Sequence, residues 1–416
     1  MRHNTGGTDG KIARLRTLTL FSMRESIIQL ENFMDATKIL EKKGIDVRTK
    51  RVVVEKNQYS NNEIIAFSKD LETLGYWGFC TSFDDPQDND QVDSAKNIIR
   101  NTKNGFVNFR ITDSDGDLDT NSISPSVDLI RAISRENEGI DNFRLGFSFG
   151  LDEETPFFPY SCVNGREGFS VGLEYVDLIA EVIDKHSRNP LSLVRLEMKK
   201  RICWFLQKVT KCCNEIEKKT GIEFLGIDIS LAPYPYPLED QSVVRLLERL
   251  GNIARSRGDM EFRFGMNGTM FMHTFISRIL KEIVDSGEFK TTGFNGIMYS
   301  VLEDSLLSSR YSNGEVNMAD LLLLSTTCGC GIDMLPLTNR SSRKVISSMF
   351  FDIFAISSAL KKPLGVRVLP IPNSRPGDLT RFKHLFFSNA VLPDVTTGIS
   401  YNELPSQSNE DSEISL

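Results

Sequence analysis

Short apolar runs rich in β-branched residues alternate along the chain with longer stretches in which apolar positions recur every three or four residues. The short runs predict strands and the longer stretches predict amphipathic helices. The predicted strands are 18–21, 47–54, 77–82, 107–111, 143–149, 224–230, 262–265, 296–301 and 364–369. The predicted helices include 25–43, 61–74, 176–186, 191–219, 240–256, 270–285, 318–326 and 341–360. This alternation predicts an α/β fold with a mainly parallel sheet, either open or closed into a barrel.

The chain offers no Gly/Ser-rich linker and no internal repeat that would divide it. We therefore predict one α/β barrel domain over residues 16–401, preceded by a flexible N-terminus at 1–15. Residues 402–416 are rich in Ser, Glu, Asn and Asp, a composition that predicts a disordered acidic tail.

Composition narrows the classes of protein that the chain can belong to. Its 416 residues carry a formal net charge of -7, which disfavours a basic nucleic-acid-binding surface. No apolar run approaches the roughly 20 residues that cross a bilayer, and the start of the chain has no signal-peptide pattern. We expect a cytoplasmic protein that uses neither nucleic acid nor membrane as a partner.

Cysteine and histidine usage argues against two kinds of site. The seven cysteines are an odd number, too sparse for a disulfide framework. None of the four histidines is paired with another at zinc-ligand spacing. A zinc site or a Cys–His protease is therefore not expected.

Polar residues follow several predicted strands, where ligands of α/β proteins usually bind. Asp228 and Ser230 alternate at the end of one strand, so both would face the same side of the sheet. The alternative is that Asp228 only supports the following Pro-rich loop. Asn267 and Gly268 lie in a Gly-x-x-Gly turn that could approach an anion, or could be an ordinary turn capped by Thr269.

Two further motifs carry acidic or thiol groups. Glu303 and Asp304 are adjacent carboxylates, which favours either a divalent cation such as Mg²⁺ or Ca²⁺ or the N-terminus of a helix. Cys328 and Asp333 belong to a Gly-rich loop with Cys330, whose two thiols could provide a nucleophile or a redox pair. We expect Cys328 to lie in a pocket with Asp333, either as a nucleophile or as part of the pocket wall.

Arg367 on the last predicted strand is suited to binding a carboxylate or phosphate, or to a buried ion pair with an acid such as Asp228. We assign three kinds of role to the candidate residues. The catalytic candidates are Asp228, Cys328, Glu303 and Asp333; the substrate-binding candidates are Ser230, Asn267, Gly268, Arg367 and Asp378; the metal-binding candidates are Asp228, Glu303 and Asp304.

In this order, the motifs GIDISLAP, FGMNGT, GFNGIMYSVLED, CGCGIDMLPL and KPLGVRVLPIP with RPGDLT resemble the domain-of-unknown-function family 711. The resemblance is strong over 224–391 and extends to RTLTLF at 16–21, which looks like the family's opening strand. Asn267 and Cys330 stand where the family usually has small residues.

The resemblance implies an inner barrel wrapped by helices, similar to the ten-stranded barrel of pyruvate formate-lyase. It also implies a link to amino-acid metabolism or regulation through a small ACT-type regulatory partner. A homo-oligomer is the alternative partner that we expect. Radical chemistry is not supported, because Gly365-Val366-Arg367-Val368 has the wrong order for a radical-glycine loop.

The leading hypothesis is an enzyme acting on an amino-acid-like or carboxylate-like small molecule, with its pocket at the carboxyl ends of the strands. The alternative is a non-catalytic metabolite-binding or regulatory protein that acts through a partner or an oligomer. Recovery of a bound ligand chemically unchanged favours the second hypothesis, and accumulation of product favours the first.

Overall fold

The computed structural model describes residues 13–22, 27–55, 60–111, 118–151, 153–235, 241–254, 260–327, 329–341 and 343–395. The tail predicted at 402–416 and most of the N-terminal segment predicted at 1–15 lie outside these ranges. Residues 13–15 were included in that predicted flexible segment, but they belong to the first strand, which begins at Ala13.

One sheet of nine strands runs through the described part of the chain, in the order β7-β6-β1-β2-β3-β4-β5-β9-β8. The strands are β1 (Ala13–Ser22), β2 (Ile45–Val54), β3 (Gly78–Phe83), β4 (Gly105–Arg110), β5 (Leu145–Phe149), β6 (Gly168–Glu174), β7 (Phe224–Asp228), β8 (Gly331–Thr338) and β9 (Leu364–Ile371). Strands β1 to β5 are parallel to one another, whereas β6 is antiparallel to β1 and β9 is antiparallel to β5. The predicted α/β class with a mainly parallel sheet is confirmed.

Helices cover one face of this sheet. They are α1 (Ile27–Lys42), α2 (Asn61–Thr73), α3 (Asn89–Asn101), α4 (Ile123–Ser134), α5 (Val176–Lys185), α6 (Leu191–Thr220), α7 (Val243–Ala254), α8 (Thr269–Asp285), α9 (Ser305–Ser312), α10 (Met318–Ser325) and α11 (Arg343–Leu360). Of the helices within the described ranges, none has the length and apolar content needed to cross a membrane.

The two faces of the sheet differ in chemistry because side chains alternate along each strand. On β1, Leu18 and Leu20 belong to the main hydrophobic core, whereas Thr17 and Thr19 are buried polar residues. We call the face that carries Thr17 and Thr19 the inner face. Burial of polar side chains there requires hydrogen-bonding partners or a ligand.

A segment without regular structure, 153–164, packs across the inner face. The Cys80 thiol donates to the Pro159 carbonyl at 3.1 Å, and Thr19 Oγ1 donates to the Pro156 carbonyl at 3.3 Å. Glycines make room for this segment: a β-carbon at Gly365 would lie only 2.4 Å from the Tyr160 ring. The segment therefore places Tyr160 against the inner face of the sheet, next to Gly365 of β9.

The edge strands β7 and β8 are linked through the chain at 291–300. Isolated parallel bridges make the link in place of the continuous strand predicted at 296–301. The bridges pair Ile227 with Thr291, Leu231 with Ile297 and Ser300 with Asp333.

Other local predictions were wrong for identifiable reasons. The strand predicted at 262–265 does not form, and the chain enters a turn at 264–265. Gly265 has a φ of 97° and packs against the Glu315 carbonyl, where a β-carbon would lie at 2.2 Å. The segment 331–338, treated in part as a loop because of its glycines, is the buried strand β8. Tertiary packing overrode the low strand propensity of glycine and proline in β8.

Candidate functional site: a buried arginine cavity

Asp228 lies at the end of β7 and is completely buried. Its Oδ1 accepts hydrogen bonds from the Ser230 hydroxyl at 2.5 Å, the Ser230 amide at 3.0 Å and the Asn295 amide at 3.1 Å. Its Oδ2 accepts from the Phe294 amide at 2.9 Å and Thr155 Oγ1 at 3.3 Å. Burial raises the pKa of Asp228, and these hydrogen bonds oppose that rise. The carboxylate anchors the turn at 293–295 to β7, with five donors directed at it.

Ser230 and Asp304 are also engaged in internal hydrogen bonds. The Ser230 hydroxyl accepts from the Gly296 amide at 3.0 Å while it donates to Asp228. Asp304 caps α9 by accepting from the Leu306 and Leu307 amides, and it also accepts from Ser242 Oγ at 2.6 Å. The helix-terminus alternative described for Asp304 accounts for these contacts.

The predicted metal ligands Asp228, Glu303 and Asp304 are not assembled into one group. Within the ranges that the structure describes, no three His, Cys, Asp or Glu side chains are clustered so that they could hold a metal ion. The hydrogen bonds give the reason, since Asp228 holds the turn at 293–295 and Asp304 caps α9.

Three further predicted residues lie on exposed turns, and one falls outside the described ranges. Asn267 and Gly268 are exposed before α8. Asp378 accepts from the Arg375 amide at 2.7 Å and lines a surface groove of about 530 Å³. Cys328 lies outside the residues that the structure describes.

The structure does bring together Glu303, Asp333 and Arg367. Arg367 is 4% exposed, and its Nε and Nη2 donate to the two oxygens of Asp333 at 2.6 and 2.8 Å. Nη2 also lies 3.5 Å from Glu303 Oε2. The Tyr160 hydroxyl donates to Asp333 Oδ1 at 2.8 Å. One of the two roles predicted for Arg367 was a buried ion pair. Arg367 forms such a pair, with Asp333 and not with Asp228.

The pKa values of this group follow from burial and charge. Burial opposes the charge on Arg367, but Asp333 and Glu303 hold its pKa above the usual value. Burial, with Asp333 nearby, raises the pKa of the Tyr160 hydroxyl well above its usual value. The arginine therefore stays charged and the tyrosine stays a hydrogen-bond donor.

Arg16 on β1 was not identified as a site residue from the sequence. It is 5% exposed, and its Nη1 is buried without a hydrogen-bond partner in the described part of the chain. The nearest carboxylate oxygens are 4.0 Å away on Glu174 and 3.9 Å away on Glu303. Its guanidinium carbon lies 4.9 Å from the centre of the Tyr234 ring. Stacking on a ring leaves the edge of the guanidinium available to a ligand.

Arg51 on β2 was missed in the same way. Its Nε donates to Thr49 Oγ1 at 3.0 Å, and its guanidinium carbon lies 4.7 Å from the centre of the Trp77 ring and 4.8 Å from that of Phe158. Among the described residues, no carboxylate lies within 4.0 Å of it. Burial, followed by the nearby charges of Arg16 and Arg367, lowers the pKa of Arg51 to about 9.

Arg16, Arg51 and Arg367 surround a space that we call the arginine cavity. It has an inner lobe of about 40 Å³ and an outer lobe of about 20 Å³, and both lobes are lined by these arginines together with Phe158 and Glu303. Aromatic rings form the remaining wall of the outer lobe, from Trp77, Phe106, Phe143, Phe386 and Phe387.

The cavity lies where strands of opposite direction meet. Arg16 is near the amino end of β1 and Trp77 directly precedes β3, whereas Ala232 and Pro233 follow the carboxyl end of β7. The arginine cavity therefore lies beyond the carboxyl end of β7 and next to the amino ends of β1 and β3. Strand β6 is antiparallel to β1 and parallel to β7. The carboxyl end of β7 therefore lies at the same end of the sheet as the amino end of β1.

The chain is similar to several proteins of known sequence. A UPF0210 protein of Pyrobaculum aerophilum is 25% identical over 295 residues, which are 69% of this chain and 61% of that protein. A UPF0210 protein of Pyrobaculum islandicum is 30% identical over 196 residues, 46% of this chain and 40% of the relative. A third, from Oenococcus oeni, is 22% identical over 325 residues, 77% and 70% of the two chains. The matched region thus spans less than two thirds of the two Pyrobaculum proteins.

A solved structure, the anaerobic ribonucleotide reductase from Thermotoga maritima with MES in the active site, aligns with a TM-score of 0.41 and 9% identity. The alignment covers 85% of this chain and 74% of that one. The family model described as Uncharacterised ACR (DUF711) matches residues 22–383, most of the chain. The chain therefore belongs to the DUF711 family.

Proposed function

We propose that the protein binds a small carboxylate- or phosphate-bearing metabolite in the arginine cavity. The observation that carries the proposal is Nη1 of Arg16, a buried cationic donor that lacks a hydrogen-bond partner within the described chain. A buried charged donor without a hydrogen bond is costly, so its retention on an enclosed surface favours a ligand that accepts from it.

The balance of charge supports an anionic ligand. The cavity is lined by three guanidinium groups and two carboxylates, those of Glu303 and Asp333. Asp333 is already occupied by Arg367 and Tyr160. One monoanion would therefore balance the remaining positive charge. A planar carboxylate also matches the forked donors of arginine.

Glu303 is the candidate for proton transfer in an enzymatic reaction at this site. Its side chain is 18% exposed, and its closest cationic atoms are 3.5 Å away on Arg367 and 3.9 Å away on Arg16. These contacts are longer than strong charge-assisted hydrogen bonds, which leaves the carboxylate able to reach a ligand. Without turnover, the same cavity would serve a metabolite-binding regulatory protein.

The proposal includes a closed barrel as the support for the cavity. The bridges of the segment 291–300 to β7 and β8 favour a ten-stranded closure in which that segment takes the place of the tenth strand. Such closure would separate the inner face from bulk solvent and strengthen electrostatic interactions within it.

Calorimetric titration with acetate, butanoate and inorganic phosphate at constant ionic strength tests the proposal. We expect saturable binding of at least one of these anions. Arg51→Gln should weaken it by about tenfold or more, the scale of a hydrogen bond to a charged group. Arg100→Gln is the control, because Arg100 pairs with Glu136 at the surface. Absence of saturable binding by the unmodified protein, or equal binding by Arg51→Gln, would contradict the proposal.

A further inference from the structure

The inner lobe of the arginine cavity has an apolar floor. Ala232, Met298 and Cys330 line it, and all three belong to a small hydrophobic cluster that is distinct from the main core. The three arginines and Glu303 line both lobes, whereas the floor residues line only the inner lobe. Asp333 also lines the inner lobe, where Arg367 pairs with it. A ligand whose charged end lies where the two lobes meet would therefore direct its other end at the apolar floor.

The floor is fixed by the backbone. Cys330 is 2% exposed, and its carbonyl accepts a hydrogen bond from the Gly365 amide at 2.7 Å. The next residue, Gly331, has a φ of 96°, and a β-carbon there would lie 2.1 Å from the Gly365 carbonyl. This close packing of β8 against β9 fixes the position of the Cys330 side chain in the floor of the inner lobe. Burial also raises the pKa of its thiol well above the usual value, so the group remains uncharged.

The volume of the lobe limits the ligand. One water molecule needs roughly 10–15 Å³ of such space, so a lobe of about 40 Å³ admits about three atoms of that size. A phosphate would place oxygen atoms on all sides and needs donors around it. The apolar floor does not offer such donors, because it is formed by Ala232, Met298 and the Cys330 side chain.

We infer that the ligand is a short-chain aliphatic carboxylate, with its carboxylate between the arginines and its chain directed at Met298 and Cys330. This inference rests on the proposed function and deepens it by naming the ligand class. Cys330 and Met298 then determine chain length, because they close the lobe opposite the charged end.

Tryptophan fluorescence provides a direct test. The chain has two tryptophans; Trp77 lines the outer lobe and Trp204 is 46% exposed on α6. In a Trp204→Phe background, Trp77 alone reports titrations with acetate, propanoate, butanoate, hexanoate and inorganic phosphate. Affinity should rise about threefold to fourfold per added methylene up to butanoate and fall for hexanoate. Phosphate should bind more weakly than butanoate.

Two substitutions in the floor sharpen the test. Cys330→Ala and Met298→Ala should each shift the preferred chain by about one carbon towards longer carboxylates. Cys203→Ala on α6 is the control and should leave the preference unchanged. A cooperative thermal unfolding transition establishes that each variant is folded. If Cys330→Ala does not fold, Met298→Ala alone tests the shift in chain-length preference.

The outcomes separate this inference from the proposed function. Tighter binding of phosphate than of butanoate, equal affinity for all carboxylates, or an unchanged preference in both folded floor variants overturns the short-chain carboxylate while anion binding stands. Absence of binding by every anion overturns both.

Discussion

Asp228 and Arg16 are both buried, both charged and both directed into the inside of the fold, yet their surroundings differ completely. Five donors surround the carboxylate of Asp228. Nη1 of Arg16 has no hydrogen-bond partner in the part of the chain described by the structure. Burial and charge are common to both regions, so neither property identifies a ligand site.

What separates the two regions is the supply of hydrogen-bonding partners. The protein itself satisfies Asp228, which makes this residue a structural anchor for the turn at 293–295. It leaves Nη1 of Arg16 without a hydrogen-bond acceptor among the described residues, and this is the basis of our proposal that the arginine cavity binds an anion. Removal of a group should therefore affect stability in the first region and ligand affinity in the second.

The largest expected effect is the loss of stability in Asp228→Ala. Amides of Ser230, Phe294 and Asn295 would lose their acceptor, and leaving a buried donor unsatisfied costs about 1–3 kcal/mol. We expect the free energy of unfolding to fall by at least about 3 kcal/mol, measured by urea denaturation. Asp46→Ala, at an exposed position on β2, should change it little. A loss below about 0.5 kcal/mol would show that Asp228 is not an anchor.

A second effect concerns the pH dependence of anion binding. The pKa of Arg51 is lowered to about 9, chiefly by burial, and the anion binds the charged form. Affinity should therefore be nearly constant from about pH 6 to about pH 8, where butanoate is fully ionised, and should decrease above about pH 9 by up to about tenfold per pH unit. Fluorescence titration with butanoate at increasing pH measures this dependence. Arg51→Met should bind weakly with no change near pH 9, and an unchanged affinity of the unmodified protein at about pH 10 would contradict the assignment.

The smallest effect is expected for Glu303→Gln. The Glu303 carboxylate lies near Arg16 and Arg367 and competes with a ligand for their charge. Removing its charge should raise anion affinity about threefold to tenfold, as measured by calorimetry. Glu31→Gln, at an exposed position on α1, is the control. Weaker binding by Glu303→Gln would instead indicate that Glu303 contacts the ligand through a favourable hydrogen bond.

Much of the fold could be predicted from the sequence because apolar periodicity records burial. The alternation of strands and helices predicted the α/β class, and the helix predicted at 191–219 occurs as α6 (Leu191–Thr220). Strand β8 was missed because Gly331 and Pro336 lower local strand propensity, which only contacts with β9 overcome.

The site was harder to predict because its members converge from distant parts of the chain. Glu303, Asp333 and Arg367 were predicted site residues and lie together, but Arg16 and Arg51 were overlooked. Both lie within strands, but other charged residues share those strands, such as Arg14 on β1 and Arg48 on β2, so the sequence pattern alone did not single them out. Whether such an arginine is paired internally depends on neighbouring strands and cannot be deduced from its own strand.

The most direct test of the arginine cavity is anion-dependent thermal unfolding of the unmodified protein and Arg16→Met. A ligand that binds the folded state raises its stability in proportion to the logarithm of concentration above its dissociation constant. With sodium butanoate replacing sodium chloride at equal ionic strength, the Tm of the unmodified protein should rise progressively and that of Arg16→Met should not. Equal shifts in the two proteins, or no shift in either, would contradict an anion site at Arg16.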